Sequence, residues 1–573
     1  MGIYSIEKSQ ETKDQNFDIL LVVPPTYPEG RNPDYNPKPP LGLEYLSGYL
    51  KKDDFSSLIR DFDVVGASAE EVVQDILTED PPILGMTVLQ RALPSVKYIH
   101  RQLRERGFDK PIIYGGIGAT LCAEEILQEF QDPNCIIVLG EGEEPLNQIV
   151  KAIKNGQEDT KEVIPSIMYY DASTDALVKN SGGRILNLDE IPWPDRQNLD
   201  FYLDKSGYLT ILTSRGCPWS RCTFCSNAAF EQQHEGDTWR SRSPEDVVEE
   251  MISLYTSTGV KKFKTNDANL FGIGKKGEDY VVNLCNAIQD AKSKGSLPNE
   301  LSIMSFIRGE DVAGKLELLK LMKSSGFDRL LIGVESSVNE VLLKKFKKGE
   351  NIEILTQAIN DLKDVGISPV IGFLIFNPYT TLASLEKDLQ FLEENSLKVN
   401  LSKSLRIFNN TPIQFLLMNA GKLEKNSPFE TYHEYFVSGE ISAIYHSMKA
   451  LHVLIEDPIR KIAQDRIWQI KKVGDSFNER FNYDDLVGIF WSMEVKLLKS
   501  CIEFYNKNEI DEDVIKTSVD EIYAVTIKSL LEQLSIDNRE GLMTSEEFYS
   551  NILEILREKK TNNLHEEYVW SEI

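Results

Sequence analysis

Thr213-Ser-Arg-Gly-Cys-Pro-Trp-Ser-Arg-Cys-Thr-Phe-Cys-Ser-Asn227 follows directly on the apolar run at 208–212. Three of the chain's seven cysteines, Cys217, Cys222 and Cys225, fall here within nine residues. Even scatter would put about 0.1 cysteine in such a window, so the cluster calls for a metal or redox explanation. Three thiols with no fourth nearby leave one coordination position open.

Downstream of this loop the pattern alternates. Strands are expected at 208–213, 261–265, 301–306, 329–333, 368–375 and 399–407, with helices at 243–258, 278–293, 312–325, 338–347, 352–365 and 382–395. Six strands, each but the last followed by helix, predict a partial (β/α)6 barrel, in which chemistry collects at the carboxyl ends of the strands. The cysteine loop follows the first of them.

Upstream, residues 18 to 155 alternate short apolar runs (Ile19-Leu-Leu-Val-Val23, Ile83-Leu-Gly-Met-Thr87, Ile112-Ile-Tyr114, Ile136-Ile-Val-Leu139) with amphipathic segments, the pattern of a doubly wound, Rossmann-like α/β domain. Its strands run into Pro24-Pro25, Gly115-Gly-Ile-Gly-Ala-Thr120 and Gly140-Glu-Gly-Glu-Glu144. Ligands on such sheets sit beyond the strands' carboxyl ends, where glycine permits close backbone approach; tight strand-to-helix turns need glycine as well. The expected organisation is a Rossmann-like domain at 1–155, a connector with a small hairpin at 156–204, the partial barrel at 205–411 and a helical C-terminal domain at 412–573. In the last, amphipathic patterns run over 441–455, 484–506 and 520–534.

With 63 basic against 90 acidic residues the net charge is -27, which argues against a nucleic-acid partner. No apolar run reaches the roughly 18 residues of a membrane span, and the N-terminus lacks the features of a secretion signal, so a cytoplasmic location is expected. Cys122, Cys135, Cys285 and Cys501 stand alone and are expected to be small buried hydrophobes.

A structural zinc site wants four closed ligands, and the nearest histidine downstream is His234. A thioredoxin-like pair at Cys222-Thr-Phe-Cys225 leaves Cys217 unexplained, and a plain electron-transfer cluster expects a fourth thiolate. A [4Fe-4S] cluster on three thiolates, with one iron free to chelate a small molecule, accounts for the count best. A non-catalytic iron-sulfur or zinc protein is the competing reading from another class.

At these residues the chain resembles the radical SAM superfamily. Trp239-Arg-Ser-Arg-Ser-Pro-Glu-Asp, Phe263-Lys-Thr-Asn-Asp-Ala-Asn269, Gly333-Val-Glu-Ser-Ser337 with Lys347-Lys-Gly349, and Gly372-Phe-Leu-Ile-Phe-Asn-Pro-Tyr-Thr-Thr381 look like successive family segments in the expected order. The resemblance implies that the open iron binds S-adenosylmethionine, whose cleavage gives a 5′-deoxyadenosyl radical. It also implies that Glu335, Ser336 and Arg308 hold its ribose and methionine parts, with Asn377 on the adenine side. Plainer readings make Glu335 an acid paired with a barrel arginine, Arg308 a surface charge and Asp267 a cap. Two departures stand out: four residues rather than the common three separate Cys217 from Cys222, and Asn377-Pro378 stands where many relatives have Gly-x-Pro.

The front domain, with Pro39-Pro-Leu-Gly-Leu-Glu-Tyr-Leu, Gly85-Met-Thr and the two glycine turns, is similar to the B12-binding domain of cobalamin-dependent radical SAM enzymes, and the resemblance covers roughly residues 18 to 420. It implies that Gly116, Gly118, Thr120, Gly140 and Glu141 line the corrin or its nucleotide loop and that Thr87 and Val88 face the lower side of cobalt. Residues 1 to 99 contain no histidine, so any corrinoid binds without a histidine lower ligand. A methyltransferase acting on an unactivated carbon, or as second choice phosphorus, of a natural product or peptide is the expectation. It would use a small-molecule or peptide substrate and an external electron donor such as flavodoxin or ferredoxin. A non-methylating rearrangement, cyclisation or oxidation is the alternative. No general acid or base is assigned; Tyr432, His433, Tyr435 and His446 are as readily packing residues as ligands.

Overall fold

The computed structural model describes residues 17–30, 37–233, 236–423, 438–456, 483–506, 512–522 and, near the C-terminus, 545, 547–550 and 552. His234, Tyr432, His433 and Tyr435 lie outside the described residues, as does most of the helical pattern expected at 520–534.

The front domain is built on a seven-stranded sheet of β1 (Ile19–Val23), β2 (Ser57–Asp61), β3 (Leu84–Thr87), β4 (Ile112–Gly115), β5 (Cys135–Val138), β6 (Ile167–Asp171) and β7 (Ala176–Lys179), in the order β2-β1-β3-β4-β5-β6-β7. The first five are parallel and the last two antiparallel. Continuous apolar runs form these strands because both faces are covered. Leu20 and Val22 enter one core with Val72, Val96 and Ile126, while their neighbours Ile19 and Leu21 enter the other with Leu43, Leu146 and Ile149. Helices Ala69–Glu79, Leu93–Glu105 and Ala123–Phe130 supply the first core, and Leu41–Leu50 and Glu143–Lys154 the second.

Two features depart from expectation. β2 was not anticipated: Ser-Leu-Ile-Arg-Asp carries two apolar residues, enough for an edge strand beside β1. The hairpin β6–β7, assigned to the connector, extends the front sheet through pairing of β6 with β5.

The second sheet has β8 (Leu209–Ile211), then outside it the two-stranded hairpin β9 (Ser214–Gly216) and β10 (Trp239–Ser241), then β11 (Lys262–Thr265), β12 (Ser302–Ile307), β13 (Phe327–Glu335) and β14 (Ser368–Phe373), in the order β14-β13-β12-β11-β8. Helices Pro244–Thr258, Gly274–Ser293, Leu316–Ser325, Ile352–Asp364 and Leu382–Glu394 alternate with the strands, as in a partial β/α barrel. On one face Phe263, Ile303, Ile307, Leu330 and Ile332 are buried; on the other Lys264, Met304, Phe306 and Leu331 are half-exposed. The strand expected at 399–407 is reduced to a single bridge, Phe376 to Ser404. Its amides bond singly, Leu401 N–H to the Glu494 carboxylate and Leu405 N–H to the Phe376 carbonyl, instead of in a ladder. The helix expected at 338–347 is a short π turn at Val341–Lys345.

The chain divides into two compact units. One comprises Met1–Ile332, Phe346–Val370 and Ile407–Tyr432; the other comprises Gly333–Lys345, Ile371–Arg406 and His433–Ile573. The second contains helices Gly439–Leu451, Tyr483–Asn506 and Glu512–Glu521, in line with the helical C-terminal expectation. No helix among the described residues is long and apolar enough to cross a membrane.

Candidate cofactor site

The cysteine loop is held from below by Asp267. This buried carboxylate accepts from the amides of Thr213 (2.8 Å) and Ser214 (3.0 Å) and from the Thr213 hydroxyl (2.7 Å). Burial pushes its carboxyl up, against the pull of those donors. Asp267 therefore braces the turn between β8 and β9, a cap-like role. At the end of β9, Gly216 has φ 83°, and a Cβ there would lie 1.9 Å from the Thr238 carbonyl, so no other residue fits.

The loop's extra residue has a built location. The Trp219 indole donates to the Lys347 carbonyl (2.7 Å), and its ring lies where a Cβ on Gly349, at φ 80°, would come within 2.4 Å. Ser220, at φ 37°, turns the chain back and donates its hydroxyl to the Cys217 carbonyl (2.6 Å). Thr223 N–H then bonds the Phe346 carbonyl, and Cys225 opens helix Ser226–Glu231.

Cys217, Cys222 and Cys225 are in no disulfide and are half-buried, whereas Cys122, Cys135, Cys285 and Cys501 are buried, as expected. Burial pushes the Cys222 thiol up to about 12, while Lys348 and Arg308 favour its thiolate. Three cysteines on one loop beside two cations suit an anionic iron-sulfur cluster. Among the described residues no three His, Cys, Asp or Glu side chains are gathered to hold a single metal ion; thiolates on separate irons of a cluster stand wider apart than that. Arg308 is buried, not a surface charge: it pairs with Glu310 (2.8 Å) and Glu350 (3.5 Å) and lies 5.0 Å from the Trp219 ring.

In the same compact unit, a cavity of about 330 Å³ opens at the carboxyl ends of β3, β4 and β5. Helix Leu41–Leu50 forms one side, and Ser214, Arg215 and Gly216 of β9 form another, so the residue after the wall is Cys217. Two glycines leave open space. A Cβ on Gly42 would meet nothing within 4 Å, and one on Gly115 only Val138 at 3.9 Å. Neither has a left-handed φ, so the fold itself has no need of glycine there. A floor of strand ends cleared of side chains fits a flat macrocycle such as a corrin.

Of the residues expected to line that group, Thr87, Gly116, Gly140 and Glu141 are on the cavity wall. Val88, Gly118 and Thr120 lie behind it. Val88 is buried in the apolar core, and its carbonyl accepts from Gly118 N–H. Gly118 is required because a Cβ would lie 2.6 Å from the Gln90 amide nitrogen. Thr120 accepts from Gly140 N–H and donates to the Gly116 carbonyl, tying the two glycine turns together.

The polar wall was not foreseen. Arg215 pairs with Glu143 (2.5 Å) and Glu141 (3.2 Å) and stacks 5.6 Å from the Tyr45 ring; Glu141 also pairs with Arg240. Burial alone would lower the Arg215 guanidinium, but Glu143 and Glu141 raise it; burial would raise Glu141, but Arg215 and Arg240 hold it down. Glu141 is thus engaged by protein cations at the wall. Behind it Glu44, Arg196, Glu250 and Arg242 form a second buried network: Arg196 bridges Glu44 and Glu250, each at 3.1 Å, and Arg242 pairs with Glu250 and Asp246. The one local signal was Arg215 itself, a charge wedged between an apolar strand and Gly216-Cys217.

Glu335, Ser336 and Asn377 belong to the second unit. Glu335 has φ 66° and its carbonyl accepts from Leu374 N–H; a left-handed acid at a strand end is a strained position. The Ser336 hydroxyl donates to buried Asp388 (3.2 Å), and Asn377 closes its own turn through Leu374 and Tyr379. Burial pushes Asp388 up to about 6, against the Ser337 and Ser336 donors. His446, an undecided candidate, bonds the Ser442 carbonyl one helical turn back.

Comparison with known proteins agrees with this geometry. Residues 35–150 match the B12 binding domain family, and residues 211–392 match the radical SAM superfamily. An uncharacterized methyltransferase of Pyrococcus horikoshii is 28% identical over 391 residues, spanning 66% of this chain and 78% of its own length. The 4′-phospho-dehydrooxetanocin synthase of Priestia megaterium is 25% identical over 373 residues, spanning 62% of this chain but 48% of its own length. The fold is shared with a solved structure of the cobalamin-dependent S-adenosylmethionine radical enzyme OxsB with aqua-cobalamin and S-adenosylmethionine bound. The TM-score is 0.67 at 18% identity, over 96% of this chain and 85% of that one.

Proposed function

Because this chain belongs to the cobalamin-dependent radical SAM enzymes, we propose that it is a methyltransferase acting on an unactivated carbon, or as second choice phosphorus, of a small natural product or peptide. The observation that carries the reading is the cavity at the front sheet's strand ends, walled by Ser214, Arg215 and Gly216 directly before Cys217. That clearing lies against the loop that would hold the cluster.

When bound, the [4Fe-4S] cluster with S-adenosylmethionine supplies a 5′-deoxyadenosyl radical, and cobalamin supplies a transferable methyl group. Cys217, Cys222 and Cys225 would hold three irons, and Lys348 and Arg308 offset the negative charge gathered there. Glu335, Ser336, Arg308 and Asn377 remain the proposed S-adenosylmethionine contacts. Thr87, on the cavity wall, would stand beside the corrinoid, with a hydroxyl too weak a donor to bind cobalt firmly. Gly116, Gly140 and Glu141 would edge the corrin, with Arg215 and Arg240 holding Glu141 in place. The apolar walls, among them Leu43, Leu46 and Leu146, keep water from the reacting groups. An electron enters from an external donor such as flavodoxin or ferredoxin.

A second reading, a radical reaction without methyl transfer, is favoured by the resemblance to a relative named as a synthase. Product mass separates the two: a gain of one CH2 unit against no gain or a loss of hydrogen. The test is anaerobic reconstitution with iron, sulfide and cobalamin, then S-adenosylmethionine and reductant. Wild type is expected to release 5′-deoxyadenosine and Cys222→Ala to fall to background while still retaining corrinoid. Release at the wild-type rate from Cys222→Ala would sink the assignment.

A further inference from the structure

The half-exposed face of the second sheet carries a group of cations that the cofactors leave unused. Lys264 on β11 stands opposite Met304 on β12, which stands opposite Arg329 on β13. At one strand spacing per step, the two cationic residues are rooted roughly 10 Å apart with a thioether between them. Lys38, which precedes helix Leu41–Leu50, comes near enough for its charge to work against the Lys264 ammonium. The Lys264 Nζ lies 5.3 Å from the Phe306 ring centroid.

This grouping works against folding. Burial, then Lys38 and Arg329, hold the Lys264 ammonium down to about 8. Among the described residues no carboxylate pairs with Lys264 or Lys38, and Arg329 has only its chain neighbour Asp328 at 4.0 Å. A chain with 90 acidic residues had ample means to neutralise the group. Two cations gathered about a third, half-buried one, with only Asp328 at the 4.0 Å limit beside Arg329, are what an oxyanion-binding site looks like before its ligand arrives. Location supplies the rest: Asn266 N–H carries the pairing one residue past β11 by bonding the Ile211 carbonyl, so Asn266 follows Lys264 on the same side, and Asn266 lines the cavity described above. The cations therefore sit on the barrel side, one residue pair below that cavity, away from the front-sheet glycines.

We infer that Lys264, Lys38 and Arg329 form an anion-binding subsite that receives a phosphate or carboxylate of the substrate and so holds the reacting carbon toward the cavity. The inference rests on the proposed function for the word substrate; the anion site itself does not.

The test is thermal unfolding of the full-length, cobalamin-reconstituted protein titrated with inorganic phosphate, and with trimethyl phosphate as an uncharged control. A saturating rise in Tm with phosphate, absent with trimethyl phosphate and lost in Lys264→Met, is expected. Arg329→Gln, on an exposed side chain, gives a second readout should Lys264→Met fold poorly, and a weaker phosphate response is expected of it. Equal responses to both phosphates, or a response unchanged in these variants, would overturn the site. Cobalamin and cobinamide, which lacks the nucleotide phosphate, separate the two sources of the anion. If Lys264→Met weakens binding of cobalamin only, the site serves the cofactor's own phosphate and the substrate assignment is wrong. Cys222→Ala, which stops S-adenosylmethionine cleavage, should keep the phosphate response, so failure of the radical reading and failure of this site show up separately.

Discussion

The two sheets solve the problem of offering a ligand a surface in opposite ways. The front sheet is covered on both faces, with Leu20 and Val22 in one core and Ile19 and Leu21 in the other, so only its strand ends remain to line a cavity. The second sheet is covered on one face, and its other face, with Lys264, Met304, Phe306 and Leu331, stays half-exposed. A doubly covered sheet suits a resident group that is always the same. A bare face, with side chains free to vary along every strand, suits a substrate.

The sharpest test of that contrast is truncation on each sheet. Leu20→Ala, in the doubly covered sheet, should cost about 2–5 kcal/mol in chemical denaturation, and Leu331→Ala, on the bare face, well under that. Equal losses would mean that the second face is packed as tightly as the first. Where the front domain meets the barrel, burial pushes Glu44 up to about 7 although Arg196 opposes the shift and Asp195 and Glu250 add to it. The folded state thus keeps a proton that the unfolded chain releases from about pH 4.5 upward, so stability should fall as pH rises from there to about 7. Glu44→Gln should remove a slope worth on the order of 1–3 kcal/mol over that window, read as Tm against pH. The smallest effect belongs to Gly42. Gly42→Ala has open space and should stabilise the cofactor-free protein by about 0.5–1 kcal/mol, while weakening retention of corrinoid measured by its absorbance after gel filtration. Unchanged retention would mean that the clearing beside Gly42 is not where the macrocycle sits.

The same contrast governs what could be read from the residues alone. Strands with two covered faces announce themselves, as Ile19-Leu-Leu-Val-Val23 does, whereas edge strand β2, with Leu58 and Ile59 between polar neighbours, does not. The stretch 399–407 has the leucines of a strand, but Glu494, nearly a hundred residues on, takes its Leu401 amide, and no local pattern reports that. The cysteine cluster stands out in the sequence because its chemistry depends on spacing within one loop. Gly118 and Thr120 lie behind the cavity wall, Gly118 because its backbone packs on Gln90 and Thr120 because it ties the two glycine turns; a glycine needed for packing and one cleared for a ligand look alike in sequence. The ionic wall was hidden for a related reason. Glu141, Arg215 and Arg240 are ordinary surface residues by type, and Arg240 is buried and the other two half-buried through contacts between distant positions.

The wedge of Trp219 against Gly349 bears on how kin of this chain should be sought. A signature that fixes the gap between the first two cysteines passes over any chain with the longer one, although nothing in the loop is defective. A better query pairs the two places: an aromatic second in the gap and, some 130 positions later, a glycine after two lysines. Homologues that shorten the gap lose the indole but keep the left-handed turn at φ 80°, so the aromatic should always be accompanied by the glycine, while the glycine can persist without the aromatic.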